Sequence, residues 1–263
     1  MSGSGKTHPF HILEQSPWPA LGSLGALVMA YGGVDIMHDQ GNTIFFVGLV
    51  IVLLTMGLWW RDVVMESIRD RAHTKPVIFG LKAGMAMFIA SEVMFFVAFF
   101  WSYFWNLFEF SPIIEAWPPA DVEVFNPWGL PFINTIILVT SGFVLMWARS
   151  GLHKGNRRQL AYGLGITVVL GFGFVILQAI EYSHAAFGFT EGIFPSVFYM
   201  ATGFHGFHVL VGAVFLAVCF LRVLNGQMTA EKHVGLEAAE WYWHFVDVVW
   251  LFLFFWFYFW IAP

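Results

Sequence analysis

Seven long apolar runs alternate with short polar connections along this chain: about Trp18–Met37, Thr43–Trp60, Gly80–Trp105, Pro131–Ala148, Leu160–Ile180, Phe194–Leu221 and Trp241–Ile261. Crossing about 30 Å of hydrocarbon takes roughly 20 apolar residues in a helix, and these runs meet or approach that length. They are continuous rather than alternating in polarity. That pattern predicts helices, whose backbone groups pair within the segment, and not the strands of a barrel. The expected fold class is an all-α membrane protein with seven transmembrane helices. A very short turn near Gln40–Asn42 should make spans 1 and 2 a hairpin. The longer connection Arg61–Pro76 separates that hairpin from the other five spans. The expected organisation is an N-terminal segment 1–15, a two-helix hairpin 16–66 and a five-helix bundle 67–263. The connection from Asn106 to Leu130 carries Pro112, Pro118, Pro119 and Pro127 with several acids, and reads as an ordered cap.

Charge sharpens this topology. All twelve Lys and Arg residues fall in alternate connections: Lys6; then Arg61, Arg69, Arg71, Lys75 and Lys82; then Arg149, Lys154, Arg157 and Arg158; then Arg222 and Lys232. The other connections hold acids such as Asp39, Glu109, Glu115, Asp121, Glu123 and Glu191. Connections on the inner side of a membrane retain Lys and Arg. The expected orientation is therefore N-terminus inside and C-terminus outside. A span count wrong by one would scramble the segregation.

Composition agrees, at 59% hydrophobic and 11% charged residues with a mean hydropathy of +0.72. A soluble core does not need so much apolar material. The net charge of −5 carries no nucleic-acid signal. The single cysteine, Cys219, lies within span 6 and reads as a small buried apolar residue. The first fifteen residues show no apolar core of a removable signal. Trp59, Trp60 and the run Trp241–Tyr242–Trp243 fall at inner span ends and Trp105, Trp117 and Trp128 at outer ones, as in an interfacial aromatic belt.

Ionisable residues within spans are costly, at about 2.5–3.5 kcal/mol each on insertion scales, so each needs a reason. Glu92 lies roughly 18 Å along span 3 from Gly80, at 1.5 Å per residue. A carboxyl there should be protonated or paired. A structural hydrogen bond to a neighbouring helix and a proton-relay or gating role both remain open. His205 and His208 sit three residues apart on one face of span 6, near the depth of Glu92. They are its expected partners. Glu240, His244 and Asp247 share one face of span 7 near the inner surface, as a self-satisfied cluster or a functional one. Glu181 and His184 lie near the outer end of span 5. On the inner side, His8 and His11 read as ordinary solvated residues or as proton buffers, because histidine titrates near neutral pH. A di-iron bundle needs two Glu-x-x-His pairs and two further Glu; only Glu181–His184 fits. No lysine sits in span 7 for a retinal Schiff base. No cofactor is expected on this chain.

Several strings are long and unusual: "SEVMFFVAFFW" (Ser91–Trp101), "ATGFHGFHV" (Ala201–Val209), "WYWHFVDVVWLFLF" (Trp241–Phe254), "WWRDVVMES" (Trp59–Ser67) and "WPP" (Trp117–Pro119). They resemble subunit III of the haem–copper cytochrome c oxidases. "HILEQSPWP" near the N-terminus is similar to the alphaproteobacterial form. The resemblance implies a subunit in a bacterial inner membrane that holds neither haem nor copper. Its partners would be subunit I, which carries those centres and the proton channels, subunit II, and cytochrome c as donor to the complex. It implies a V of spans 1–2 and 3–7 whose cleft holds phospholipids, and roles in sustaining proton uptake and preserving the active site. By motif, Glu92 matches the family's carbodiimide-reactive carboxylate. Trp59, Trp60, Arg61 and Phe88 lie where the family holds lipid, and His8 and His11 resemble its proton-collecting histidines. "ARSGLHKG" (Ala148–Gly155) departs from a His-richer stretch. Quinol-oxidising relatives share this subunit, so the donor is not legible here. A proton-coupled secondary transporter would predict paired broken helices in corresponding halves, and no such symmetry is visible.

Overall fold

The computed structural model describes residues 15–68, 73–108, 117–120, 122–229 and 232–262. The described residues form seven helices: α1 Trp18–Met37, α2 Thr43–Ile68, α3 Lys75–Leu107, α4 Leu130–His153, α5 Arg157–Ser183, α6 Ile193–Leu224 and α7 Val234–Phe254. All seven are long and apolar enough to cross a membrane. Span α1 begins and ends where the apolar run does. The others overshoot their runs, mostly at one end. α2 continues from Trp60 to Ile68, α3 begins at Lys75, α4 reaches His153 and α7 begins at Val234. Every one of these extensions is on the cation-bearing end. Hydropathy marks only the part of a helix that lies in hydrocarbon, whereas the helical backbone pairs equally well beyond it, and Lys and Arg stems reach outward from the last turns. The long connection expected at Arg61–Pro76 is therefore helical as far as Ile68. Span 7 also departs at its far end, where α7 gives way to a π-helical turn, Phe255–Phe259. The Trp260 amide donates five residues back to Phe255 at 2.8 Å, and within that turn the Trp256 carbonyl accepts from the Tyr103 hydroxyl at 2.5 Å.

The chain divides into two compact units, Met1–Leu81 and Lys82–Pro263. In the first, α1 and α2 form the hairpin. Its turn uses Asp39 (φ 57°) and Gly41 (φ 116°), left-handed positions that Asp and Gly tolerate. A Cβ on Gly32 would collide with the Phe45 backbone, and one on Gly48 with the Met29 backbone. Lipid tails are as apolar as Leu, so packing and not hydrophobicity drives helices together, and small residues let backbones approach. Near the open end, the Trp18 indole donates to Asp62 at 2.7 Å.

The second unit holds most of α3 together with α4–α7. Two kinds of interface build it. Among α4, α5, α6 and α7 the contacts rest on small residues. Gly163 lies on Ala148, and Gly171 and Gly212 lie against the ring of the fully buried Trp243. From α3 the contacts are aromatic: Phe95 and Phe99 with Phe204 of α6, Phe96 with Phe245 and Phe100 with Phe252 of α7. Such ring pairs contribute about 0.5–1.5 kcal/mol each beyond area burial.

Candidate functional site

The polar side chains of the second unit fall into three levels. At the cation-bearing end, Lys82 contacts the two Glu237 carboxylate oxygens at 2.9 and 2.7 Å. Arg149 donates to Glu240 Oε2 at 2.6 Å, while His244 Nδ1 lies 3.2 Å from Asp247 Oδ2. Glu240, His244 and Asp247 are thus neighbours as their spacing predicts, but the strongest bond of the cluster comes from Arg149 on another helix. Asp247 packs against Gly142, where a Cβ would approach its Oδ2 to 2.5 Å. Arg157 donates to the Val223 carbonyl at 2.9 Å and to the Leu224 carbonyl, satisfying the exposed C-terminus of α6. These contacts gather the cations of α3, α4 and α5 at one end of the bundle, as their segregation in the sequence requires.

The middle level is the acid–histidine pair. Glu92 lies near the centre of α3 and His208 near the centre of α6. His208 Nε2 stands 2.9 Å from Glu92 Oε2, and its Nδ1 2.6 Å from the Phe204 carbonyl. A carbonyl can only accept, so Nδ1 carries a proton and donates it. The second contact then has two forms. Either the Glu92 hydroxyl donates to a bare Nε2, or a protonated Nε2 donates to a Glu92 carboxylate. One proton is shared and the pair is net neutral either way. Neutrality is what keeps an acid tolerable within hydrocarbon. Aromatic rings surround the imidazole: Phe96 at 5.1 Å, Tyr242 at 6.2 Å and Phe245 at 6.3 Å between centroids. The His208 side chain is 6% exposed, while that of Glu92 stays 22% exposed.

His205 is not part of this pair. It is fully buried, and its Nε2 donates to the Val246 carbonyl at 3.1 Å while Nδ1 has no partner. Of the two histidines expected beside Glu92, the structure brings only His208 to it. The direction of each ring along α6 decides this, and a three-residue spacing does not separate the two.

The third level lies toward the other end. The Tyr258 hydroxyl donates to Glu181 Oε1 at 2.7 Å, and Gln178 Nε2 donates to the same oxygen at 3.1 Å. Asn134 donates to Gln178 Oε1 at 3.3 Å. The neighbouring Tyr182 hydroxyl donates to Thr202 at 2.7 Å. Glu181 is 2% exposed. His184 stays outside this network and contacts Ser183 and the Ile180 carbonyl. Sequence reasoning singled out Glu181 and missed its partners. Gln178 was legible as the residue one turn earlier on the same face. Tyr258, on another helix, gives no spacing signal.

Trp59 and Trp60 are exposed on α2 in the first unit, as is Arg61. Phe88 is half-exposed on α3 in the second and stacks on Tyr242 at 6.3 Å. His8 and His11 lie outside the described residues. Among the described residues, no three or more His, Cys, Asp or Glu side chains converge as a metal-holding group.

The chain matches the model of the family described as cytochrome c oxidase subunit III over residues 8–262. Among similar proteins, cytochrome c oxidase subunit 3 of Anopheles gambiae is 49% identical over 256 residues, covering 96% of this chain and 97% of that protein. Cytochrome c oxidase subunit 3 of Pylaiella littoralis is 46% identical over 258 residues, with coverage of 96% and 94%. The probable cytochrome c oxidase subunit 3 of Rickettsia bellii is 46% identical over 261 residues, with 95% and 94% covered. With seven apolar helices and a match running nearly from end to end, the chain belongs to the cytochrome c oxidase subunit III family.

Proposed function

We propose that this chain is the non-redox accessory subunit of an aa3-type oxidase in a bacterial inner membrane. In this reading it packs directly against subunit I, in a complex with subunit II that takes electrons from cytochrome c. It sustains proton uptake into subunit I and preserves the dioxygen site while dioxygen is reduced to water and protons are pumped. The haem and copper belong to the partner chains. The observation that supports this most directly is the Glu92–His208 pair, which offers acid–base chemistry at mid-membrane: a single proton held without net charge. On the cation-bearing side, His8 and His11 are the proposed proton collectors, with Glu240, His244 and Asp247 as a further polar cluster near that surface. Phospholipid is proposed to contact Trp59, Trp60 and Arg61 on the hairpin, and Phe88 on the bundle. An interfacial Trp pair beside a guanidinium suits a phosphate headgroup.

The test is chemical. A hydrophobic carbodiimide adds to a protonated carboxyl that it can reach from the lipid. In the purified oxidase it should label this chain at Glu92. Glu92→Gln should abolish the label while the complex stays assembled, because the amide can still donate to His208 Nε2. Labelling that persists on this chain in the variant would refute the assignment of the reactive acid.

A further inference from the structure

A second feature lies on helices other than those that carry Trp59, Trp60, Arg61 and Phe88. Between α5 and α6 runs a groove of about 550 Å³, lined by Arg158, Tyr162, Gly165, Val169, Phe220 and Leu224 among others. Its size falls within the range of about 300–1,000 Å³ usual for small-molecule sites. We propose that this groove binds an acyl chain of an anionic phospholipid, with Arg158 holding the phosphate.

Three observations select this occupant. The first is length. From Arg158 to Leu170, the limits of its lining on α5, the groove covers roughly 18 Å at 1.5 Å per residue. That is close to half of the ~30 Å hydrocarbon core, or one leaflet. A partner's transmembrane helix would need a seat along the whole thickness. The second is charge. The two adjacent arginines at the start of α5 are not equivalent. Arg157 is committed to the Val223 and Leu224 carbonyls. Arg158 is exposed and has no carboxylate or carbonyl partner among the described residues. It stands at the mouth of an otherwise apolar groove, on the cation-bearing side, where a guanidinium meets phosphate with good bidentate geometry. The third is the order of side chains along the floor. Tyr162, one turn in from Arg158, is 68% exposed and its hydroxyl has no hydrogen bond among the described residues. An amphipathic ring at that depth suits the ester region of a lipid. Beyond it only apolar surface follows, with Gly165 leaving the width for a chain.

Gly165 also supplies the test. A Cβ there would meet only the Phe220 ring, at 3.5 and 3.6 Å, which is ordinary contact. Gly165→Leu therefore fills the groove without moving backbone, and Gly165→Ala serves as a control. Intact oxidase would be equilibrated with mixed micelles of phosphatidylglycerol or phosphatidylcholine, and retained lipids counted by native mass spectrometry. The wild type and Gly165→Ala should retain one more phosphatidylglycerol than Gly165→Leu. Arg158→Gln should weaken retention of phosphatidylglycerol about fivefold, since one cation near an anionic lipid surface is worth about 1 kcal/mol, and should weaken phosphatidylcholine less, because choline already neutralises its phosphate. Equal phosphatidylglycerol counts in wild type and Gly165→Leu would overturn the site. Unchanged retention of phosphatidylglycerol in Arg158→Gln would overturn the phosphate contact, and equal weakening of both lipids would overturn the choice of an anionic headgroup. A photoreactive residue placed at Ile166 should yield a lipid adduct; a polypeptide adduct would show that a partner chain fills the groove and would reject the proposal. None of these outcomes depends on the role of Glu92.

Discussion

Glu92 and Glu181 are both carboxyls within membrane helices of the same unit, and the protein handles them in opposite ways. Glu92 has one side-chain partner, His208, a base that can take its proton, and remains 22% exposed. Glu181 accepts from two donors, Tyr258 and Gln178, neither of which is a base near neutral pH, and is 2% exposed. The first arrangement sets a proton-accepting group beside a part-exposed acid. The second ties α5 to the π-helical end of span 7 and buries the carboxyl itself. An acid inside a bilayer is thus no single kind of feature. Its partner's chemistry and its access decide whether it can exchange a proton or only hold helices together.

The largest effect should come from cutting the buried network. Glu181→Ala leaves the Tyr258 hydroxyl and one Gln178 N–H without an acceptor, at about 1–3 kcal/mol each. The subunit should lose about 3 kcal/mol of stability and leave the detergent-solubilised complex at a lower temperature. Glu181→Gln keeps the acceptor oxygen and should recover most of that loss. Melting of Glu181→Ala at the wild-type temperature would mean the network holds nothing. An intermediate effect is expected at the exposed pair. His208→Leu removes the base, so Glu92 must carry its proton alone, and its rate of carbodiimide labelling should rise severalfold. His205→Phe removes a single neutral hydrogen bond to Val246, worth about 1 kcal/mol, and should leave that rate unchanged. Equal labelling in both variants would remove the distinction drawn between the two histidines. The smallest effect belongs to the hairpin. Arg61→Ala should weaken one lipid contact by about 1 kcal/mol, with fewer lipids retained and a shorter working life under turnover. It should leave Glu92 labelling as in the wild type.

Much of the architecture is legible in the sequence alone. The seven runs, the hairpin turn and the segregation of cations all follow from the cost of taking polar groups into hydrocarbon, and that cost acts on each segment separately. Helix ends were less legible. Past Trp60 or before Trp241 the chain leaves hydrocarbon, hydropathy falls and the helix continues unchanged. The candidate site was half legible. Glu92 and the histidines of span 6 stand out because each is costly where it is, and their depths match. Arg149, Tyr258 and the Phe204 carbonyl gave no signal as partners.

The amino-acid sequence by itself determined which segments enter the membrane, which ends carry the positive charge, and that an acid and two histidines share one depth. Those properties depend on single residues and their distance from a polar surface. Only the tertiary structure decided that His208 faces Glu92 while His205 turns to Val246, that Arg149 anchors Glu240, and that Arg157 caps the end of α6 while Arg158 beside it stands exposed at the mouth of a groove. Pairings of this kind depend on the rotation of one helix against another. Packing of glycine under tryptophan and phenylalanine against phenylalanine sets that rotation, and it is a property of neighbours rather than of positions along the chain.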